Sequence, residues 1–263
     1  MPATDLPLLI GAARAAGEVA RRYTGASALR WNKPGGLGPV TEADIAVNDV
    51  LEQVLRAARP DYGWLSEETE DSPDRLACNR VFIVDPIDGT RSFIEGSGSW
   101  AHALAVADRG RITAGVIYLP MRDKLYAAAK GQGATLNGAP VRASDQGDMD
   151  GASILATKPA FAPENWQGPV PRLIPAHRPS LAYRLALVGE GRFDAMLTLR
   201  PTWEWDIAAG VVILHEAGAT ISDRTGCPLG FNTPVPRLNG VLAANPALHR
   251  ALSCSLAPAR KGM

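Results

Sequence analysis

A short apolar run that ends in two carboxylates constrains this chain more than any other segment. Residues 81–90 read Val-Phe-Ile-Val-Asp-Pro-Ile-Asp-Gly-Thr, so that Asp85 and Asp88 follow a β-branched run. This pattern predicts a buried strand with acids at its carboxyl end, where Pro86 stops further ladder pairing and Gly89 permits a sharp turn. Carboxylates that share one cavity favour Mg²⁺, Mn²⁺ or Ca²⁺ over zinc or copper. Taken alone, the segment also fits an Asp-rich turn with capped ends.

Two further segments bring acids of their own. Glu67 and Glu68 follow a short apolar stretch, and Asp206 stands at the start of an apolar, Ala/Gly-rich helix, where an isolated Asp most often serves as an N-cap. Gly89 and Thr90 are also placed to open a helix whose free N–H groups accept a phosphate. The three segments together indicate a site for hard cations and a phosphate.

The remaining pattern predicts a mixed α/β fold in two parts. The first part, residues 1–145, combines helices near 5–20 and 41–59 with a hairpin of strands at 101–107 and 112–119, a strand at 125–129 and a turn at Asn137-Gly138. The second part, residues 146–263, alternates strands near 154–157, 193–199, 219–222 and 240–244 with helices at 180–189 and 206–217. We therefore expect an α+β half followed by an α/β half.

Composition narrows the classes of partner. The chain of 263 residues has 27 basic and 27 acidic residues, so it offers no net field to a nucleic-acid polymer or an anionic membrane. No apolar window is long enough for a membrane span, and three scattered cysteines give no disulfide framework. We expect a cytoplasmic protein with neither nucleic acid nor membrane as its main partner.

The acidic segments resemble a known family when they are taken in order. Pro-Val-Thr-Glu-Ala-Asp at 39–44, Glu-Glu at 67–68, Asp-Pro-Ile-Asp-Gly-Thr at 85–90 and Trp-Asp-Ile-Ala-Ala-Gly at 205–210 are similar to the motifs of the inositol monophosphatase family. That resemblance implies a Mg²⁺-dependent, lithium-sensitive phosphomonoesterase and a possible homodimer. It also implies a layered αβαβα sandwich, like that of inositol monophosphatase and fructose-bisphosphatase, with a mainly antiparallel N-terminal sheet and a smaller C-terminal half.

The resemblance also implies roles for individual residues. Two or more Mg²⁺ ions, with Mn²⁺ as a possible substitute, would activate a water: Glu67, Asp85 and the Ile87 carbonyl would hold the first ion, and Asp85, Asp88 and Asp206 the second. Glu67 and Thr90, the latter held by Asp44, would orient the water. The residues implied to meet the substrate are Glu67, Ile87, Asp88, Gly89, Thr90, Arg184 and Asp206, and Lys33 is similar to a loop lysine near the family's site. From the sequence alone, other roles fit equally well. Thr90 could be a hydroxyl at the start of a helix, Asp44 an exposed helical acid and Lys33 a solvated lysine.

Three features bear on the substrate. Leu199 stands where inositol-specific relatives have a glutamate, while Glu204-Trp205-Asp206 resembles the bacterial bisphosphate nucleotidases. Arg184 could meet a second phosphate, or merely decorate a helix. Trp205 could offer an aromatic face to a base or sugar, although tryptophans in such a place more often pack the junction between domains. The sequence therefore favours a 3'(2'),5'-bisphosphate nucleotidase acting on 3'-phosphoadenosine 5'-phosphate. The alternatives are a phosphatase for inositol 1-phosphate or another sugar phosphate, and a non-catalytic metal-dependent binding protein.

Overall fold

Two amphipathic helices pack side by side on one face of a large sheet. In the computed structural model, which describes residues 5–23, 27–36 and 38–258, α1 spans Asp5–Ala20 and α2 spans Glu42–Ala58. The α2 helix begins where the Thr41 hydroxyl and the Asp44 carboxylate each accept from the other's backbone N–H. Its buried stripe of Ala43, Val47, Leu51 and Leu55 is the one that the sequence predicts.

The large sheet has seven strands in the order in which the chain supplies them. The strands are β3 (Gly63–Ser66), β4 (Arg80–Asp88), β5 (Ala101–Asp108), β6 (Arg111–Leu119), β7 (Lys124–Ala129), β8 (Ala134–Leu136) and β9 (Ala139–Val141). Only β3 and β4 are parallel, and every other neighbouring pair is antiparallel. The mainly antiparallel N-terminal sheet is therefore confirmed, as is the hairpin turn at Asn137-Gly138, where both residues have positive φ.

A bulge interrupts the pairing of β4 with β5 beside the two acids. Asp85 pairs with Ala103 and Asp88 pairs with Ala101, so two residues of β4 lie opposite His102 alone. The prediction that Pro86 stops the ladder is wrong, because the strand resumes pairing at Asp88. The bulge therefore interrupts the pairing of β4 with β5 without terminating the strand.

A smaller, mixed sheet belongs to the second half of the chain. Its strands are β10 (Ser153–Ala156), β11 (Ile174–Ala176), β12 (Ala195–Thr198), β14 (Thr220–Ser222) and β16 (Val241–Ala244), in the spatial order β11-β10-β12-β16-β14. Pairs β10–β11 and β10–β12 are parallel, whereas β16 is antiparallel to both of its neighbours. The last strand of this sheet along the chain, β16, is therefore inserted between β12 and β14.

Two helices are sandwiched between the sheets. α4 (Leu181–Gly189) and α5 (Glu204–Glu216) share one hydrophobic core with Val81, Ile83 and Ala105 of the large sheet and with Met196 and Ala243 of the small one. The fit is close at Gly115, where a Cβ would lie 2.8 Å from the Ala209 carbonyl oxygen of α5. The outer face of the small sheet packs on α6 (Pro246–Ser255). These layers confirm the αβαβα sandwich.

Shorter elements complete the described part of the chain. They are α3 (Thr90–Ile94), the hairpin of β1 (Arg30–Asn32) and β2 (Pro39–Thr41), and the pair β13 (Thr202–Trp203) and β15 (Arg237–Leu238). The strand β11 and the helix α6 were not predicted. The Pro/Gly-rich sequence of residues 33–39 predicts a surface loop, of which Leu37 lies outside the described residues. Within the described ranges, no helix has the length and apolarity needed to cross a membrane. The division of the chain at residue 145 stays a prediction.

Candidate active site

Three acids from distant parts of the chain meet in one cleft. Asp85, Asp88 and Asp206 each offer a carboxylate oxygen, and these oxygens lie within 4.8 Å of one another. Asp85 and Asp88 come from the bulged end of β4, and Asp206 comes from the first turn of α5. The cleft has a volume of about 690 Å³, and Glu67, Ile87, Gly89, Thr90 and Arg184 also line it.

Asp85 is the most constrained of these acids. Its side chain is 1% exposed, and its Oδ1 atom has no hydrogen-bond partner among the described residues. Burial raises the pKa of Asp85 well above its ordinary value, and the charges of Glu67, Asp88 and Asp206 raise it further. A buried, unpartnered carboxylate oxygen facing other acids fits a hard divalent cation, the class to which Mg²⁺, Mn²⁺ and Ca²⁺ belong.

Asp88 and Asp206 each commit one oxygen to a helix start. Asp88 Oδ2 accepts from the Ser180 hydroxyl and from the Ala182 N–H at the beginning of α4, both at 2.6 Å. Asp206 Oδ2 accepts from the Trp203 N–H at 3.1 Å, which makes it a first-turn residue of α5 and not the N-cap. Burial raises the pKa of both carboxyls, and for Asp206 the Asp88 charge adds to the effect. Each acid keeps its other oxygen for a ligand.

Thr90 and Asp44 are in contact, as the family resemblance implies. Thr90 Oγ1 lies 3.1 Å from Asp44 Oδ1 and 3.2 Å from the Ile87 carbonyl oxygen. Asp44 is not an exposed helical acid, because it is 1% exposed and its Oδ2 accepts from the Thr41 N–H and hydroxyl. Burial raises the pKa of Asp44. Gly89 allows the turn between these groups with φ of 101°, a conformation that side chains rarely adopt.

Lys33 is not a solvated lysine either. Its Nζ lies 2.8 Å from Glu67 Oε1 and 2.7 Å from Glu68 Oε1, and its side chain is only 13% exposed. Burial raises the pKa of Glu68 to about 7, and the Glu67 charge contributes to the shift. Among the described residues, Lys33 in the loop after β1 is the only basic side chain that forms an ion pair with Glu67 and Glu68.

Arginines form one wall of the cleft. Arg184 is 4% exposed, and its Nε donates to the Arg178 carbonyl while its Nη2 lies 2.8 Å from His177 Nε2. It does not merely decorate a helix. Arg200 and His177 line the same cleft, and both are exposed. Neither residue was expected from the sequence, because Arg200 sits in a short connection and His177 in an irregular segment, with no motif around either.

The structure corrects the interpretation of the Glu-Trp-Asp segment. Trp205 stacks on Trp203 with ring centroids 4.9 Å apart, packs against the core between the sheets and is not among the residues that line the cleft. Glu204 is fully buried, and its carboxylate accepts from the N–H groups of Asn232 and Thr233. Leu199 packs beside the outer core of the small sheet. Trp205 therefore offers no aromatic face to a substrate, and Glu204 holds a loop.

The clustered acids predict how the stability of the metal-free protein depends on pH. A carboxyl whose pKa is raised by folding binds more protons in the folded state, so its contribution to stability falls as pH rises from the unfolded pKa through the folded one. This window runs from 4.5 to about 7 for Glu68, and it starts at 3.8 for Asp85 and Asp206. Histidines with lowered pKa values, such as His102 at about 4, oppose this trend between that value and the ordinary histidine pKa of 6.5.

In EDTA, we expect the unfolding temperature to fall as pH rises from about 7 to about 8, where histidines are mostly neutral in both states. Saturating Mg²⁺ and the variant Asp206→Asn should each flatten this slope. Thermal unfolding followed by circular dichroism measures it. A slope in EDTA equal to that in Mg²⁺ would show that the acids do not oppose one another.

Comparisons with known proteins agree on one family. A model of the inositol monophosphatase family matches residues 3–261. Nus factor SuhB of Salmonella typhimurium is 33% identical over 95% of each chain, and a histidinol-phosphatase of Chlorobaculum parvum is 32% identical over 96% of each. The solved inositol monophosphatase of Anabaena superimposes with a TM-score of 0.78 at 27% identity, covering 95% of this chain and 94% of that one.

Proposed function

Since the chain belongs to the inositol monophosphatase family and is a metal-dependent phosphatase, we propose that it uses Mg²⁺ to hydrolyse a small phosphorylated metabolite by attack of water. The observation that supports this most directly is the convergence of Asp85, Asp88 and Asp206 within 4.8 Å in a cleft. The unpartnered Oδ1 of Asp85 adds to it. We propose that Glu67, Asp85 and the Ile87 carbonyl hold one ion, and that Asp85, Asp88 and Asp206 hold the second.

When bound, Mg²⁺ supplies charge to stabilise the phosphoryl oxygens and the leaving oxygen and lowers the pKa of a bound water. The chain's own residues place the reactants. The Thr90 hydroxyl donates to the Asp44 carboxylate, which leaves its lone pairs free to accept a hydrogen bond from the attacking water. Glu67, which also lines the cleft, is the second group that orients the attacking water. The N–H groups of Gly89 and Thr90 bind the phosphate.

For the substrate, we propose a nucleoside bisphosphate, with 3'-phosphoadenosine 5'-phosphate as its first representative. Two arginines that line the cleft, Arg184 and Arg200, support a second anionic group on the substrate. Arg200 makes no hydrogen bond or ion pair with the described residues, so its guanidinium is free to meet that group. Trp205 gives the proposal no support, because it stacks on Trp203 and packs against the core. Inhibition by Li⁺ is part of the proposal through the family resemblance alone.

A second candidate is an inositol, polyol or amino-alcohol monophosphate. The names of two relatives favour it, the inositol monophosphatase of Anabaena and the histidinol-phosphatase of Chlorobaculum parvum. Leu199 counts against the inositol ester, because an apolar side chain cannot replace a glutamate that binds hydroxyl groups.

Several relatives are named Nus factor SuhB, which is not the name of a phosphatase. The expected absence of a nucleic-acid partner therefore stays a prediction, and the balanced charge of the chain is its only support. The expected homodimer and cytoplasmic location also stay predictions.

We expect Arg200→Ala to lower kcat/KM for 3'-phosphoadenosine 5'-phosphate by about ten- to a hundredfold, the usual cost of one charge-assisted contact. The same variant should change kcat/KM for adenosine 3'-phosphate by less than about threefold, because that substrate lacks the second phosphate. Arg184→Ala should also reduce the ratio of kcat/KM between the two substrates. This variant additionally removes the contacts of Arg184 with the Arg178 carbonyl and His177. Release of inorganic phosphate at a fixed Mg²⁺ concentration measures kcat/KM for the unaltered protein and for both variants.

The matched control is Arg172→Ala, which removes an exposed arginine that is paired with Asp150 and lies outside the cleft lining. It should leave both substrates unaffected. A higher kcat/KM of the unaltered protein for inositol 1-phosphate or histidinol phosphate would replace the nucleotidase proposal with the second candidate.

A further inference from the structure

The bulge in β4 places the buried Pro86 outside the regular pairing with β5. Pairing stops after Asp85–Ala103 and resumes at Asp88–Ala101, so Pro86 and Ile87 share one opposing residue, His102. A bulge of this kind leaves its extra residue outside the ladder. A buried carbonyl group in that position needs another donor, since buried backbone groups are almost always hydrogen-bonded.

The side chain of His102 supplies that donor. The ring is fully buried on the side of the large sheet that faces α1 and α2, between Trp100 at 5.5 Å and Tyr118 at 6.3 Å, measured between ring centroids. Its Nδ1 is hydrogen-bonded to the Pro86 carbonyl. Because a carbonyl oxygen only accepts, Nδ1 carries the proton. Nε2 has no partner among the described residues, so this bond is the ring's one polar contact there.

The next carbonyl along the chain lies in the cleft on the opposite side. Ile87 lines the cleft, and its carbonyl oxygen lies 3.2 Å from Thr90 Oγ1. The two neighbouring carbonyls therefore have different partners, one on each side of the sheet. If the Pro86 carbonyl were released, the backbone dihedrals of Pro86 and Ile87 could change, and the Ile87 carbonyl, which belongs to the next peptide group, would no longer be held facing the cleft.

We propose that His102 is a positioning residue, which holds the Pro86–Ile87 peptide from behind the sheet so that the Ile87 carbonyl and the flanking Asp85 and Asp88 face the cleft and bind metal. This inference rests on the proposed metal site. It adds a residue that neither lines the cleft nor belongs to any of the motifs in the sequence. The role is mechanical, because the ring contacts neither metal nor substrate.

The test compares two variants of nearly equal shape. His102→Asn keeps an N–H donor at the position of Nδ1, whereas His102→Leu removes it. We expect the Leu variant to bind Mg²⁺ about ten- to a hundredfold more weakly, the usual effect of losing a residue that orients metal ligands. The Asn variant should stay within about threefold of the unaltered protein. Isothermal titration calorimetry with Mg²⁺ measures these affinities without reference to turnover.

Two further measurements separate positioning from stability. Leu104→Ala removes a fully buried side chain from the same strand and face, so it should lower the unfolding temperature and leave Mg²⁺ affinity unchanged. At saturating Mg²⁺, His102→Leu should recover most of its kcat, because the ring does not touch the reactants. Should the Leu variant fail to fold, His102→Phe provides the same comparison with Asn.

Equal Mg²⁺ affinities for the Leu and Asn variants would overturn the role of His102 while leaving the metal site intact. So would a loss of affinity in Leu104→Ala as large as that in His102→Leu. If the unaltered protein does not bind Mg²⁺, both the metal site and this inference fail.

Discussion

Excess EDTA is expected to abolish phosphatase activity, and excess Mg²⁺ is expected to restore it. The expected loss is on the order of a thousandfold or more, because without an ion the carboxylates of the cleft repel the phosphate and no metal activates the attacking water. Mn²⁺ should restore activity in part, since it accepts the same oxygen ligands. Release of inorganic phosphate measures both steps. Full turnover in EDTA would exclude the proposed use of Mg²⁺.

A control for EDTA itself is needed, because chelation also changes ionic strength. EDTA that has been saturated with Mg²⁺ beforehand should have no effect on the rate. The pH and ionic strength should be the same in every assay, because the pKa of Glu68 of about 7 makes the charge of the site sensitive to pH.

Asp85→Asn is expected to give opposite results for activity and for stability. Activity should fall on the order of a thousandfold or more, because an amide oxygen without charge replaces the acid proposed to contact both ions. In EDTA, the unfolding temperature should rise, since Asn removes a buried charge that has no partner at Oδ1 and is repelled by Glu67, Asp88 and Asp206. Phosphate release and thermal unfolding measure the two effects on one preparation.

Asp145→Asn is the matched control. The Asp145 side chain is 95% exposed and lies outside the cleft lining, so neither activity nor unfolding temperature should change. If Asp85→Asn lowered the unfolding temperature in EDTA, the carboxylate would be anchored by a partner, and repulsion within the cluster would not be its dominant interaction.

Local patterns predicted much of this fold. Helix α2 follows from the spacing of Val47, Leu51 and Leu55, and the β8–β9 turn follows from Asn137-Gly138, because each depends on residues close together in the chain. The acidic motifs predicted the convergence of Asp85, Asp88 and Asp206, and also the contact between Thr90 and Asp44. These contacts span long stretches of chain, so they came from the family resemblance and not from periodicity.

The remainder depends on partners that no local pattern identifies. Pro86 indicated the end of a ladder, yet the ladder resumes because His102 of another strand satisfies the bulge. Lys33 has no local sign of its pairing with Glu67 and Glu68, which lie 34 and 35 residues away. Trp205 was assigned to a ligand because it is aromatic and adjacent to Asp206, but a tryptophan beside a site also serves to pack the core.

The order of strands in the two sheets also has a consequence for synthesis on the ribosome. The large sheet adds β3 to β9 in the order in which they are translated, so each new strand finds its neighbour already made. The small sheet does not, because β16 lies between β12 and β14 and is its last strand to be translated. The nascent chain therefore carries Asp206 and the exposed edges of β12 and β14 until Val241–Ala244 has left the ribosome. Until then, those edges are open to mispairing with other chains, and this interval is where chaperones would act on this protein.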